Sequence, residues 1–466
     1  MTVVKQRELQ KLMIQGVEQA RLSSETVLVS RSVRIAQVDP LSFFACGKRD
    51  RFFWMDPEGN ATIVGSGTAN RLSATGRTRF QLINKKRDAL LRNSLIEADP
   101  AVSSTGPLWL GGFSFDPEKK REEVWQSFSE ADLNLPSFML TVSGGEAWLT
   151  INCIVEPTTD PLMKTEQILK ERDRLLKDCE SFPSRSHFES NKLTLREIAP
   201  QQFKDAVRDA SNEIRNGVLD KIVLSRVMKV QSEANLSVVQ LLQRLREEQP
   251  NSFLFAIERK ESCLVGASPE RLVKREGERV FSACIAGTTA RGKTLSEDEQ
   301  LGNELLHDRK NLHEHQLVVD MIQSAMKQIC SKVEIPDHPS LYKMKNVQHL
   351  YTPVVGQAKG KADILSVVEQ LHPTPALGGF PQQLAVEKIR AIETHDRGWY
   401  GAPVGWLDYK GNGEFAVAIR SGVIHKNEAT LFAGNGIVGD SEPESEYRET
   451  QMKFRPMLSA LGGDGL

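Results

Sequence analysis

The stretch GWLDYKGNGEFAVAIRSGVI, residues 405–424, decides the fold class. Two β-prone runs flank the turn-forming Lys410-Gly411-Asn412-Gly413, the pattern of a β-hairpin. Working outward, strands are predicted over 220–230, 252–259, 262–267, 403–409, 413–424 and 428–434. Between and around them, helical patterns cover 202–216, 235–249, 298–331, 363–370, 381–394 and 443–460. Hairpins interspersed with helices predict an α/β (α+β) chain with largely antiparallel sheets and covering helices, not a parallel βαβ array.

The N-terminal part reads the same way. Residues 1–20 are patterned as a surface helix, and from about 25 to 155 the chain becomes strand-like. RFFWMDPEGNATIVGSGTA turns at Asp56–Asn60, and SFMLTVSGGEAWLTINCIV turns at Gly144-Gly145, where glycine supplies positive φ. In PLWLGGFSFD, Gly111-Gly112 amid apolar residues predicts a strand approached closely by another backbone. The helical stretch 160–190 ends in the polar SFPSRSHFESNK, which divides a less informative region, 1–195, from a motif-dense one, 196–466. Whether that is a domain boundary or an excursion within one unit stays open at this level.

Sixty basic and 61 acidic side chains nearly cancel, which argues against a nucleic-acid binder but not against a small anionic substrate. Six cysteines, at 46, 153, 179, 263, 284 and 330, form neither a CxxC nor a zinc-spaced cluster, the usage of a reducing compartment. The first 20 residues lack the apolar core of a signal peptide, and no apolar run reaches membrane-spanning length. A cytoplasmic protein is expected, with no nucleic-acid or membrane partner.

A few side chains stand out as chemistry. Glu314 in DRKNLHEHQLVVDMI lies one turn before an apolar helical stripe, so it is either a solvated acid or one aimed into a cleft. Its neighbours His313 and His315 fall on different helical faces, so HEH is not a zinc motif. Glu446 and Glu449, three apart near a helix start, share a face. They complement the helix dipole or, with the glycine-rich AGNGIVGDS before them, contribute to a magnesium and anion site. Lys221 opens the strand KIVLSRVMKV, either reaching solvent or partly desolvated as a general base. Glu270 in GASPERLV is an arginine-paired acid or a proton donor with a raised pKa. Arg420, within the apolar EFAVAIRSGVI, is placed to hold a carboxylate, and Lys453 lies four residues after Glu449.

These residues fall in a series of ordered motifs: KIVLSR, GASPERL, IAGTTARG, HDRKNLHEHQLVVD, VQHLYTPVVG, LHPTPALGGFP, DRGWYGAPVGW, FAVAIRS, FAGNGIVGDS and SEYRETQMKF. Through them the chain resembles the chorismate-utilising enzymes, most strongly over about 200–462. Its N-terminal part is similar to the extended region of menaquinone-pathway isochorismate synthases. The resemblance implies large antiparallel sheets facing each other, helices around them, and an active site between the sheets. It implies Lys221 as the base that activates water and Glu270 as the acid that protonates the departing hydroxyl. It implies Mg2+ on Glu314 and Glu446, with Glu449 nearby. Arg420 and Lys453, helped by Tyr400, would bind the enolpyruvyl carboxylate of chorismate. Backbone groups at Gly287, Thr288, Gly434 and Gly436 would meet substrate carboxylates, and His349 would line the pocket.

The implied reaction adds water at C2 of the ring and expels the C4 hydroxyl. Ala376 stands where eliminating or ammonia-using members typically carry threonine, which favours water addition without pyruvate loss. Salicylate synthesis, a siderophore-pathway role and a catalytically silent binder are the alternatives. No amidotransferase domain is evident in the sequence, so no such partner subunit is expected, and a monomer is. Asn435 departs from the alanine common in the family's glycine turn.

Overall fold

The computed structural model describes residues 2–182, 192–343, 347–360 and 363–463. The polar stretch predicted to divide the chain lies, over 183–191, outside the described residues. Among the described residues two sheets organise the fold, one of 13 strands and one of 10. Nearly all pairings are antiparallel; Val27–Ile35 with Ser94–Glu97 is a parallel one. Strands from before residue 183 and from after residue 191 occur in both sheets, and Phe52–Met55 pairs directly with Phe253–Arg259.

Three apolar clusters fix the layers. One, lying between the sheets, takes Trp54, Phe255, Val227 and Phe432 from the larger sheet and Leu110, Val404 and Trp406 from the smaller. The other two lie under helices. Leu9, Leu12, Met13 and Val17 of helix Thr2–Ser23 pack against one, so the predicted surface helix buries a full stripe. Val318, Ile322 and Met326 of helix Arg309–Ile329 fill the other. In strand Leu108–Phe113, a Cβ on Gly111 would sit 1.9 Å from the Asp132 carbonyl oxygen, the close backbone approach that its glycine pair predicts.

Two predicted elements are corrected. The helix expected over 298–331 is two helices, Leu295–His307 and Arg309–Ile329, because Asp308 leaves helical geometry and its carboxylate caps Asn311 N–H at 2.7 Å. The strand expected over 413–424 is also two, Gly413–Val417 in the smaller sheet and Ser421–His425 in the larger. The chain changes sheets between them, and Arg420 takes a left-handed backbone, φ 51°. Arg420 is therefore not inside a strand.

Candidate active site

Lys221 begins the strand Lys221–Ser232. Alternation sends Lys221, Val223, Ser225 and Val227 to one face. Val227 lies in the inter-sheet cluster, so this is the face turned toward the second sheet. Moving from Val227 toward Lys221, the apolar fill gives way to Ser225, Lys221 and two glycines opposite, Gly434 and Gly436, on strand Glu428–Ile437. Lys221 is only 9% exposed, and its Nζ contacts the Glu314 carboxylate. Glu314 sits within helix Arg309–Ile329, one turn before its apolar stripe, as the sequence predicts.

Glu270 lies between strand Ser262–Ser268 of the larger sheet and strand Arg271–Glu276 of the smaller. Burial pushes its carboxyl up to about 7, while the charge of Lys221 draws it down. The arginine-paired alternative does not hold for the adjacent Arg271, which donates to Glu414 at 2.7 Å and to Glu58 at 3.1 Å. The charges of Glu270, Lys221 and Glu314 are all felt at buried Cys284, whose thiol is raised chiefly by burial.

The second half of the site is an open sheet edge. Ser421–His425 pairs with Glu428–Ile437 only as far as Gly422↔Leu431, so among the described residues 432–437 pairs on one side alone, with the Lys221 strand. Side chains of helix Pro443–Ala460 reach this edge. Lys453 Nζ donates to the Gly434 carbonyl at 2.9 Å and to Asn435 Oδ1 at 2.7 Å, and it pairs with Glu449 at 2.7 Å. Burial lowers the Lys453 pKa against the pull of Glu449. Burial likewise lowers that of Arg420, with Tyr400 and Glu449 opposing. Tyr400 stacks on Phe432 at 5.3 Å, and burial pushes its hydroxyl up to about 12. Burial raises the Glu446 carboxyl; hydrogen bonds from Ser441 and Asn435 lower it, and the charge of Glu449 raises it further.

Gly287 and Thr288 lie at a register shift where strand Arg279–Ala290 pairs with Val347–Ala358. Gly287 takes φ 80°, open to glycine and strained for most residues. Thr288 faces His349 across the strands, with Oγ1 and Nδ1 2.8 Å apart. Burial and the Arg420 charge both lower the His349 pKa. Ala376 lies in the loop ahead of strand Gly379–Phe380, half-buried against the helix-side core. It is tied to the site through Arg397, which donates to both the Leu377 carbonyl at 2.9 Å and the Val223 carbonyl at 2.7 Å.

That arginine belongs to a network that sequence reasoning missed. Glu393 accepts from Ser225 N–H at 2.7 Å, Ser225 Oγ at 2.9 Å and Arg397 Nε at 2.8 Å. His395 Nε2 lies 2.9 Å from the same Ser225 hydroxyl. Burial opposes ionisation of Glu393, yet Arg397, His395 and Ser225 together hold its pKa below the ordinary carboxylate value. The motif DRGWYG quoted above contains Arg397, but its partners lie up to 174 residues away in sequence.

The acids suit a hard cation in one specific sense. Among the described residues, no three His, Cys, Asp or Glu side chains form a ready-made metal cage. Glu314 and Glu449 each hold a lysine, and Glu446 is half-buried with a like charge beside it. Magnesium keeps several waters and takes one or two carboxylates plus substrate oxygens, so Glu446 and Glu449, three apart on one helix face, have the donor chemistry for it.

Comparison with known proteins bears on the whole chain. A family model described as chorismate binding enzyme matches residues 15–462. Isochorismate synthase MenF of Bacillus subtilis is 41% identical over 473 aligned positions, covering 100% of both chains. The salicylate biosynthesis isochorismate synthase of Pseudomonas aeruginosa is 37% identical over 96% of this chain and 94% of that one. Among solved structures, MenF, the menaquinone-specific isochorismate synthase from Escherichia coli, superposes with a TM-score of 0.77. It covers 96% of this chain and 99% of its own, and at 24% identity it speaks for the fold. None of the described helices is long and apolar enough to cross a membrane.

Proposed function

The chain belongs to the chorismate-binding enzyme family, and from that premise we propose that it is an isochorismate synthase, a Mg2+-dependent isomerase interconverting chorismate and isochorismate. The observation that carries this reading is that buried Lys221, on the strand face turned toward the second sheet, exerts its charge on Glu270, which lies where the chain passes from one sheet to the other. They supply a candidate base and a carboxyl held near neutrality. Full-length identity to an isochorismate synthase supports it.

Lys221 takes a proton from water as its oxygen bonds to ring C2. The C1=C2 pair moves to C1=C6 and the C5=C6 pair to C4=C5, the C4–O bond breaks, and Glu270 gives its proton to the leaving hydroxyl, which departs as water. Glu270 can donate at neutral pH because burial keeps its carboxyl protonated up to about 7. Arg420 and Lys453, with Tyr400 beside them, bind the enolpyruvyl carboxylate. Backbone groups at Gly287, Thr288, Gly434 and Gly436 meet substrate carboxylates, and His349 closes the wall. Glu314 and Glu446, with Glu449 nearby, hold the metal. When bound, Mg2+ neutralises the ring carboxylate and stabilises charge that grows during the allylic displacement. Ala376 leaves that loop without the hydroxyl expected of eliminating members.

Several broader features join this reading. The chain acts as a monomer in the cytoplasm, takes no glutamine amidotransferase subunit, and serves menaquinone synthesis. The similarity of its whole length, N-terminal region included, to MenF supports the pathway. The test is a chorismate turnover assay with and without Mg2+, products read by mass. Isochorismate as main product, formed only with the metal, is expected; salicylate and pyruvate as main products overturn the reading.

A further inference from the structure

Asn435 stands between Gly434 and Gly436 in strand Glu428–Ile437, at a position where nothing in the reaction requires a side chain. It is 2% exposed. Alternation along Glu428–Ile437 turns it to the face opposite Gly434 and Gly436, toward helix Pro443–Ala460. There its amide is fully used. Nδ2 donates to the Glu446 backbone carbonyl at 2.8 Å and to Glu446 Oε2 at 2.9 Å. Oδ1 accepts from Lys453 Nζ at 2.7 Å. Lys453 is also held by the Gly434 carbonyl at 2.9 Å and by Glu449 at 2.7 Å.

We propose that Asn435 is a positioning residue that fixes Glu446 and Lys453 in one geometry, so that a single buried amide sets both metal affinity and affinity for the enolpyruvyl carboxylate. The inference rests on the roles given to Glu446 and Lys453 in the proposed function. Its physical basis is the unequal chemistry of the amide's two ends. A carboxylate needs a donor and an ammonium needs an acceptor, and a side-chain amide offers one of each about 2 Å apart. Alanine offers neither. Glu446 would then keep only its hydrogen bond from Ser441, and Lys453 would turn about the Gly434 carbonyl and Glu449. Groups that orient a ligand without touching the metal cost about 10- to 100-fold in affinity or activity when removed.

The test uses Asn435→Ala in the full chain, with thermal melting as the check that the fold is kept. Mn2+ alone, titrated without substrate and followed by electron paramagnetic resonance, serves as the probe of the acidic site. Expected are a Mn2+ dissociation constant weakened about tenfold or more and a chorismate KM raised about tenfold. The kcat at saturating Mg2+ and chorismate should change about threefold or less, a split that a general loss of structure does not produce. In a Lys453→Met background, Asn435→Ala should no longer move chorismate KM by more than about twofold. Unchanged Mn2+ affinity in Asn435→Ala, with affinity lost in Glu446→Gln, overturns the positioning role and leaves the metal assignment standing. Unchanged Mn2+ affinity in Glu446→Gln overturns both. A lower kcat with Mn2+ affinity and KM intact also overturns the proposal. Should Asn435→Ala melt early, Asn435→Ser, which retains a small hydroxyl, is measured in the same way and judged by the same outcomes.

Discussion

The ammonium of Lys221 lies against the carboxylate of Glu314, two residues 93 positions apart in sequence. In the role of base proposed for Lys221, this contact holds its Nζ beside the helix that carries Glu314. Lys221→Ala should lower kcat about 10²- to 10⁴-fold. Lys221→Arg should be as inactive although it keeps the charge, since arginine does not give up its proton. Thermal melting of both variants, beside a turnover assay, checks the assignment; near-normal rates in the arginine variant would end it.

Glu270 predicts a pH profile. Its carboxyl is displaced from an ordinary 4.5 to about 7, chiefly by burial. The acid form donates, so kcat/KM should fall with one proton as pH rises through about 7, and Glu270→Gln should abolish that limb along with most of the rate.

The same displacement has an opposite sign in stability. A carboxyl raised in the folded state costs nothing below its ordinary 4.5, where both folded and unfolded forms are protonated. Above about 7 the folded protein must hold a buried charge, a loss of about 3 kcal/mol. Glu270→Gln escapes that cost. It should therefore unfold at higher denaturant than wild type at alkaline pH and at the same denaturant in acid, as read by urea titration.

The buried pair Glu393 and Arg397, 4% and 3% exposed as side chains, makes a different demand. Glu393→Gln keeps the volume but leaves a buried guanidinium without its counter-charge, which should destabilise the fold by about 3 kcal/mol at neutral pH. Glu393 is held below its ordinary 4.5, so its contribution is present above that value and lost as pH falls through the folded range. The difference between variant and wild type should accordingly shrink in acid. Denaturant titrations at neutral and acid pH measure both.

How far the molecule could be read in advance depended on the range of the forces involved. Local turn chemistry was legible: Gly144 and Gly145 do take positive φ at a hairpin, and helix Pro443–Ala460 starts at its proline. The break at Asp308 was written in the sequence too, as a capping residue followed three positions on by the amide it caps, but the apolar stripe around it masked the signal. The sheet change at Arg420 was not legible. EFAVAIRSGVI keeps its strand-like character through a left-handed arginine, and nothing in that residue type announces positive φ. The motifs single out Lys221, Glu270 and Glu446 as candidates. They could not reveal that Glu393 supports the Lys221 strand from 168 residues away, because that contact depends on the pairing of sheets and not on any local pattern.

Gly436 offers the cleanest separation of site from scaffold. It pairs opposite Val223, and a Cβ there would fall 2.6 Å from Lys221 Cε and 3.2 Å from Nζ. Its backbone is not among those with positive φ, so alanine meets no strain of that kind, and replacing a strand glycine slightly favours the extended form. The clash falls on the far end of a flexible side chain, which can swing aside at a cost of less than about 1 kcal/mol. What it cannot do is swing aside and still address the same ring carbon. A misplacement of about 1 Å can cost about 100-fold in rate. Gly436→Ala should thus melt within a few degrees of wild type while kcat falls about 10- to 100-fold. A variant that keeps full activity would mean that the Lys221 side chain is not needed where it lies.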